Sequence, residues 1–389
     1  MKPLEGVKVI DLSRLVPGPY CTRLLSDMGA EIVKVEEPGR GDYLRALPPY
    51  RIDVSIAFET LNRGKKSVAV NLESKIGRKI LHKLVRKADV LLESFRPKTA
   101  KRLGCDFESI RKANPRIVHC SLTGFGETGP YRDMPGHDIN LLGLSGFLDL
   151  NRTHDPVVPG IQVGDLAGGM VAAFAIASAL SARRRTKRAQ HIDTSILDAL
   201  LSWLDIPLAL HLGEGRARML AGHVPFYRLY RTSDSKLMAL GAIEPQFWEK
   251  LCKIIGRTDL LADQFSADPR RTEVIRVIEA CFATKTRDEW SRIMMEHEMP
   301  CTPVLTLEES IEDPQTKSRK MIGLKATTPT EVTYIGNPCK IPRPETIRPS
   351  PSPKLGEHSV EVLREIGYSS SSIKTFIQTG VISRGLPRG

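Results

Sequence analysis

The segment PGHDINLL, Pro135 to Leu142, sets an imidazole beside a carboxylate ahead of an apolar run. IQVGDLAGG, residues 161–169, sets a lone carboxylate among glycines. A histidine titrates close enough to neutrality to take and return a proton at working pH. A carboxyl group does the same only when partial desolvation lifts it out of its ordinary range. His137 and Asp165 are therefore candidates for proton transfer, provided both reach one bound molecule. Each also has a purely structural reading. Asp138 suits the N-cap of a helix over INLLGLSG, which leaves His137 at the loop end. Asp165 suits the N-cap of a helix beginning near Leu166, where the neighbouring glycines would let a bulky ligand approach. Amide dipoles at such a helix start favour the ionised carboxylate and oppose a role as base; burial under a substrate works the other way.

Glu244, in GAIEPQFW, follows a strand pattern and precedes Pro245, a good first helical residue. It either favours the first turn by its charge or reaches toward a site. Basic residues gather in three short sets: Asn62, Arg63 and Lys65 in NRGKK, Arg96 in ESFRP, and Arg40 in EPGRGD. A solvated surface explains them, and so does a grip on a polyphosphate.

The elements that must carry these residues read as an α/β fold. GVKVIDLS (6–13), EIVKVE (31–36), KSVAVNLES (66–74), ADVLLESF (88–95) and RIVHCSLTGFG (116–126) are strand-like, with helical patterns between them. Near-continuous apolar strands alternating with helices predict a doubly wound parallel sheet. The loops SRLVPGP, EEPGRGD, ESFRP and TGFGETGP follow the strands, at the edge where such sheets bind ligands. None matches GxGxxG or GxxxxGK[ST], so nicotinamide and nucleoside-triphosphate binding lack their usual motifs. AGGMVAAFAIASAL, 167–180, reads as a buried core helix too short to span a bilayer. The stretch 336–356 is crowded with proline and reads as extended. The expected division is a large domain over 1–200, a linker over 201–225, a small α+β domain over 226–325, and a return segment over 326–389 that completes the large domain.

The chain has 389 residues, too many for one ordinary core, and its 57 Lys and Arg exceed its 45 Asp and Glu to give +12. That surplus favours anionic partners. The basic residues are scattered apart from RRRTKR at 183–188, which argues against nucleic acid. Seven widely spaced cysteines without a CxxC suit reduced thiols, and the N-terminus lacks a secretory h-region, so the expected compartment is the cytoplasm.

Taken together, MKPLEGVKVIDLSRLVPGPYCTRLLSDMGAEIVKVE, LNRGKKSVAVNL, ADVLLESFRP, SLTGFGETGPYRDMPGHDINLLGLSG, GDLAGG and GAIEPQFW resemble the class III coenzyme A-transferase (CaiB/BaiF-like) superfamily, on its α-methylacyl-CoA racemase branch. The resemblance covers most of the chain. It implies a Rossmann-like large domain, a smaller middle domain and an interlocked homodimer. It implies that His137 and Asp165 flank the α-carbon of a 2-methylacyl-CoA and that Glu244 hydrogen-bonds the histidine, from its own or the partner subunit. It implies that loops with Arg40, Asn62, Arg63, Lys65 and Arg96 hold the coenzyme. The reaction implied is interconversion of R and S thioesters through an enolate, with no metal, flavin or NAD and no cofactor beyond the coenzyme A of the substrate. The alternatives are CoA transfer through an aspartyl anhydride at Asp165 and acyl-CoA binding without catalysis. Where the family has a flexible turn, this chain reads RTKRAQHID, so a different backbone path is expected there.

Overall fold

Strands buried on both faces favour apolar residues, and the central sheet sets such residues beside buried charged ones, Asp11, Lys34, Glu36 and Glu93 among them. The computed structural model describes residues 2–51, 54–152, 155–215, 219–323, 334–340 and 351–385. They form two compact units: Met1–Phe147 with Val158–Ser202 and Lys320–Gly389, and Leu148–Val157 with Trp203–Arg319.

The first unit carries strands β1 (Lys8–Asp11), β2 (Glu31–Glu36), β3 (Lys66–Val70), β4 (Val90–Glu93), β5 (Val118–Thr123), β6 (Gln190–Ser195) and β7 (Ile382–Ser383). Its helices are α1 (Pro17–Asp27), α2 (Ile56–Asn62), α3 (Lys75–Arg86), α4 (Pro97–Leu103), α5 (Phe107–Ala113), α6 (Asp138–Leu144), α7 (Val163–Thr186), α8 (Ile196–Leu201), α9 (Ser359–Glu365) and α10 (Ser370–Gln378). The sheet order is β7-β3-β2-β1-β4-β5-β6, parallel throughout except for β7, which runs antiparallel to β3. The doubly wound α/β class expected from the strand patterns is the one found. Chain direction across the sheet reverses between β1 and β4, and that switch point is where such folds open a crevice for ligands.

Helix α3 begins with Ser74 accepting the Gly77 amide and turns Ile80, Leu81, Leu84 and Val85 inward. The same core takes Val362, Leu363 and Ile382 from the returning C-terminal segment. The proline-rich 336–356 is described only at its two ends; its central 341–350 lies outside the described residues.

Helix α7 differs most from its sequence reading. It runs through 24 residues, taking in both GDLAGG and RRRT. By length and composition it and the stretch Ile196–Gly213 are apolar enough to cross a membrane, but half of α7's most apolar window is buried within the fold. Its alanines and glycines allow close packing on α1, β5 and α8.

In the second unit, Tyr227–Arg231, Leu237–Gly241 and Cys301–Pro303 make a three-stranded antiparallel sheet. Helices Pro245–Ile254, Arg270–Phe282 and Arg287–Glu296 close over it around Tyr230, Met238, Trp248, Phe282 and Trp290. Both indole N–H groups are satisfied, Trp248 by Leu260 O at 3.1 Å and Trp290 by Phe282 O at 2.8 Å. The stretch 201–225, read from sequence as a linker, holds a helix over Asp205–Glu214.

Candidate active site

A groove of about 530 Å3 opens in the first unit at the carboxyl ends of β1 to β5. The loop after β1 lines it with Arg14, Leu15 and Pro17, and the loop after β4 with Ser94, Phe95 and Arg96. The loop after β5 adds Gly124, Phe125, Arg132, Met134 and His137, and α7 adds Asp165. The fold thus brings His137 and Asp165, 28 positions apart in the numbering, to one cavity.

Local capping decides how they are presented, and it differs from the sequence expectation. His137 itself is the N-cap residue of α6; its extended backbone donates an N–H to Asn140 Oδ1 at 2.9 Å. Asp138 is the first helical residue, and its Oδ1 accepts the Asp165 amide at 3.0 Å. Asp138 therefore caps α7, the other helix of the site. Asp165 is not an N-cap either; it is the third residue of α7, after Gln162 at the cap.

The result is a carboxyl group facing a cavity with a second carboxylate behind it. Burial, and then the charge of Asp138, push Asp165 up to about 7. Of the two opposing influences named from the sequence, burial outweighs the helix start. His137 is exposed to the groove mouth.

The glycines of GDLAGG serve packing, not ligand approach. A Cβ at Gly168 would meet Ile196 Cγ1 at 2.7 Å, and one at Gly169 would meet Pro17 O at 2.6 Å. They let α7 lie against α8 and the start of α1, which brings Asp165 to the groove wall.

Of the expected coenzyme-binding residues, Arg96 lines the groove and donates to Asp133 O at 3.2 Å. Arg40 lies outside the lining, with its guanidinium 5.8 Å from the Tyr43 ring, which is in the lining. Asn62, Arg63 and Lys65 are buried and turned inward. Arg63 pairs with Asp27 at 2.7 Å. Lys65 Nζ donates to Thr22 Oγ1 at 2.7 Å and Asn62 Oδ1 at 2.9 Å and pairs with Asp11 at 3.3 Å. Burial brings that ammonium down to about 8. These three tie α1 and the end of α2 to one another and to β1, a central strand, and do not line the groove.

Three arginines that the sequence reading missed do line it: Arg14, Arg102 and Arg132. Arg14 lies between two rings, 5.3 Å from Tyr43 and 5.4 Å from Phe95. Arg102 pairs with Glu73, and Arg132 with Asp133 at 3.6 Å. With Arg96 they put four guanidinium groups suited to phosphate oxygens on the groove, beside the lining carboxylates Glu73 and Glu37, the latter paired with Arg14 at 3.7 Å. Arg14 stands in SRLVPGP and Arg132 just beyond TGFGETGP, so applying the strand-end rule to single arginines would have found both. Glu244 lies in the second unit, exposed, at the N-cap of Pro245–Ile254. The RTKRAQ departure is accommodated by Lys187, left-handed at φ +53°, where α7 ends.

The chain matches the model described as CoA-transferase family III over residues 4–359. It belongs to that family. Among family III relatives it is 37% identical over 379 residues to alpha-methylacyl-CoA racemase of Homo sapiens, with 95% of each chain covered. It is 32% identical over 383 residues to succinate–glutarate CoA-transferase of Agrobacterium fabrum, covering 94% of this chain and 96% of the relative. The solved structure of a CAIB/BAIF family protein from Brucella suis superposes with a TM-score of 0.80 at 29% identity, covering 94% of this chain and 99% of that one. Both isomerases and transferases thus stand near this family III enzyme.

Proposed function

We propose that this enzyme interconverts the R and S forms of 2-methylacyl-CoA thioesters. One observation carries the reading: the His137 imidazole and the Asp165 carboxyl group, the latter raised to about 7, line the same groove. The α-proton of a thioester is acidic because the carbanion it leaves delocalises onto the carbonyl as an enolate. Inversion needs an acceptor on one face and a donor on the other. Neutral His137 takes the α-proton of one enantiomer while protonated Asp165 delivers a proton from the opposite face. The cycle leaves imidazolium and carboxylate, which are the reactants for the reverse direction. A carboxyl group at about 7 is available in either state near neutral pH. The groove arginines would take the phosphates of coenzyme A, so that remote binding positions the α-carbon.

The experiment is incubation of a 2-methylacyl-CoA in D2O with no acceptor acid. Deuterium should enter the α-position with inversion, and His137→Ala should depress exchange by at least about 100-fold. Full racemisation by that variant would end the assignment. The transferase relative motivates a second reading, in which Asp165 attacks the thioester carbonyl, expels CoA thiolate and forms a mixed anhydride. Its signature is a trapped Asp165 acyl adduct together with CoA movement to a second carboxylic acid.

Under the same reading the enzyme works as a homodimer, with Glu244 serving His137, and Arg40 assists the coenzyme. All seven cysteines are free, which suits the proposed cytoplasmic setting.

A further inference from the structure

The loop after β1 reaches the groove through a backbone turn that a leucine rarely adopts. Leu15 is left-handed at φ +63°, a conformation that persists only where surrounding structure over-determines it. The surroundings here are a fully buried set of charges. Lys34, on β2, donates from Nζ to Ser13 O at 2.8 Å and pairs with Asp42 at 2.9 Å, and both side chains have no solvent exposure. Asp42 Oδ1 in turn accepts the N–H of Leu15 itself, at 3.0 Å. On the preceding side Asp11 accepts the Ser13 amide at 2.9 Å and the Ser13 hydroxyl. Lys34 and Asp42 therefore hold the carbonyl before Arg14 and the amide after it. Arg14 is fixed between two pinned points, with its own N–H on Ser94 Oγ at 3.3 Å.

Burying an ammonium and a carboxylate costs stability unless the pair is well hydrogen-bonded, and an apolar pair of similar shape often does as well or better. The fold therefore gains little stability from charge at these positions. Here the pair fixes backbone atoms of a groove-lining loop, a role an apolar pair cannot supply. We propose that Lys34 and Asp42 are positioning residues for coenzyme binding: they lock the left-handed turn at Leu15 and so aim Arg14 at the phosphates of the substrate. This rests on the acyl-CoA reading of the groove. It concerns binding of the coenzyme moiety and leaves the proton chemistry of His137 and Asp165 untouched.

A double-mutant cycle with glycine tests it, because glycine adopts positive φ without strain and needs no lock. Free coenzyme A is titrated calorimetrically into wild type, Lys34→Met, Leu15→Gly and the double variant, each checked for folding by circular dichroism. Lys34→Met should weaken binding about tenfold or more in the wild-type background and less than about threefold in the Leu15→Gly background. If Lys34→Met does not fold, Asp42→Ala takes its place with the same contrast expected, since it removes the acceptor that holds the Leu15 N–H. Equal losses in both backgrounds, or wild-type binding matched within twofold by the single variant, would overturn the inference and leave the acyl-CoA reading standing. A wild-type chain that does not bind coenzyme A removes both.

Discussion

The titration of Asp165 links activity to stability at a single residue. Its folded value of about 7 lies above the ordinary carboxyl value, so the native state resists ionisation and the unfolded chain does not. The stability this group contributes is fully present below about pH 3.9 and is lost as pH rises through about 7. Asp165→Asn keeps the shape and abolishes the ionisation. It should be more stable than wild type at pH 8, by on the order of 2 kcal/mol after allowing for partial exposure, and about equal at pH 4. Thermal melts at the two pH values check this, and the same variant should lose α-proton exchange. Asp138→Asn tests the cause. Without the charge behind it Asp165 ionises at lower pH, so for the enantiomer whose α-proton the carboxylate takes, the acidic limb of the exchange profile should move down. The new side-chain amide oxygen would still accept the Asp165 N–H, so the capping geometry is kept. An unmoved limb would mean that burial alone sets the titration.

Elements, more than residues, show what the sequence can and cannot display. Five of the six parallel strands were legible because burial on both faces leaves runs rich in apolar residues, and strand-end loops are where a doubly wound sheet binds its ligand. His137 and Asp165 were legible as chemistry-bearing types in such loops. Patterning does not reveal which loop side chains fold inward: NRGKK looks like a phosphate grip, yet beneath the surface Arg63 reaches Asp27, Lys65 reaches Asp11 and Thr22, and Asn62 accepts from Lys65. Nor does it reveal what a glycine faces. Those of GDLAGG looked like room for a ligand and proved to be room for helices. Gly169→Ala would drive a methyl group into the Pro17 carbonyl, which is backbone and cannot swing aside. That substitution should cost about 1–3 kcal/mol, measured as a lower denaturation midpoint with an unchanged slope. It should also weaken the site, because α1 and α7 each bring residues to the groove. Gly143→Ala, where nothing lies within 4 Å of the new Cβ, is the control and should melt within about 1–2 °C of wild type.

For the whole molecule the question is what covers its apolar surface. On α7 the side chains of Met170 and Phe174 are 50% and 76% exposed, and in the second unit Leu208 and Leu212 are 52% and 76% exposed. Patches of this kind on a globular fold mark interfaces, and a second copy of the chain is the occupant proposed above. Sedimentation should give twice the chain mass of 43.2 kDa, and Phe174→Glu should shift the equilibrium toward single chains. The sharper test asks which chain supplies Glu244. His137→Ala and Glu244→Gln are each expected to be inactive, and they are co-expressed with different affinity tags so that only the mixed dimer survives two purifications. If each site joins His137 of one chain to Glu244 of the other, one of the two sites in the mixed dimer has both residues intact and exchange returns to about half the wild-type rate per dimer. If both residues come from one chain, every site carries one defect and no activity returns. The rate recovered thus reports the connectivity of the site directly, because two defective chains regain activity only by sharing it.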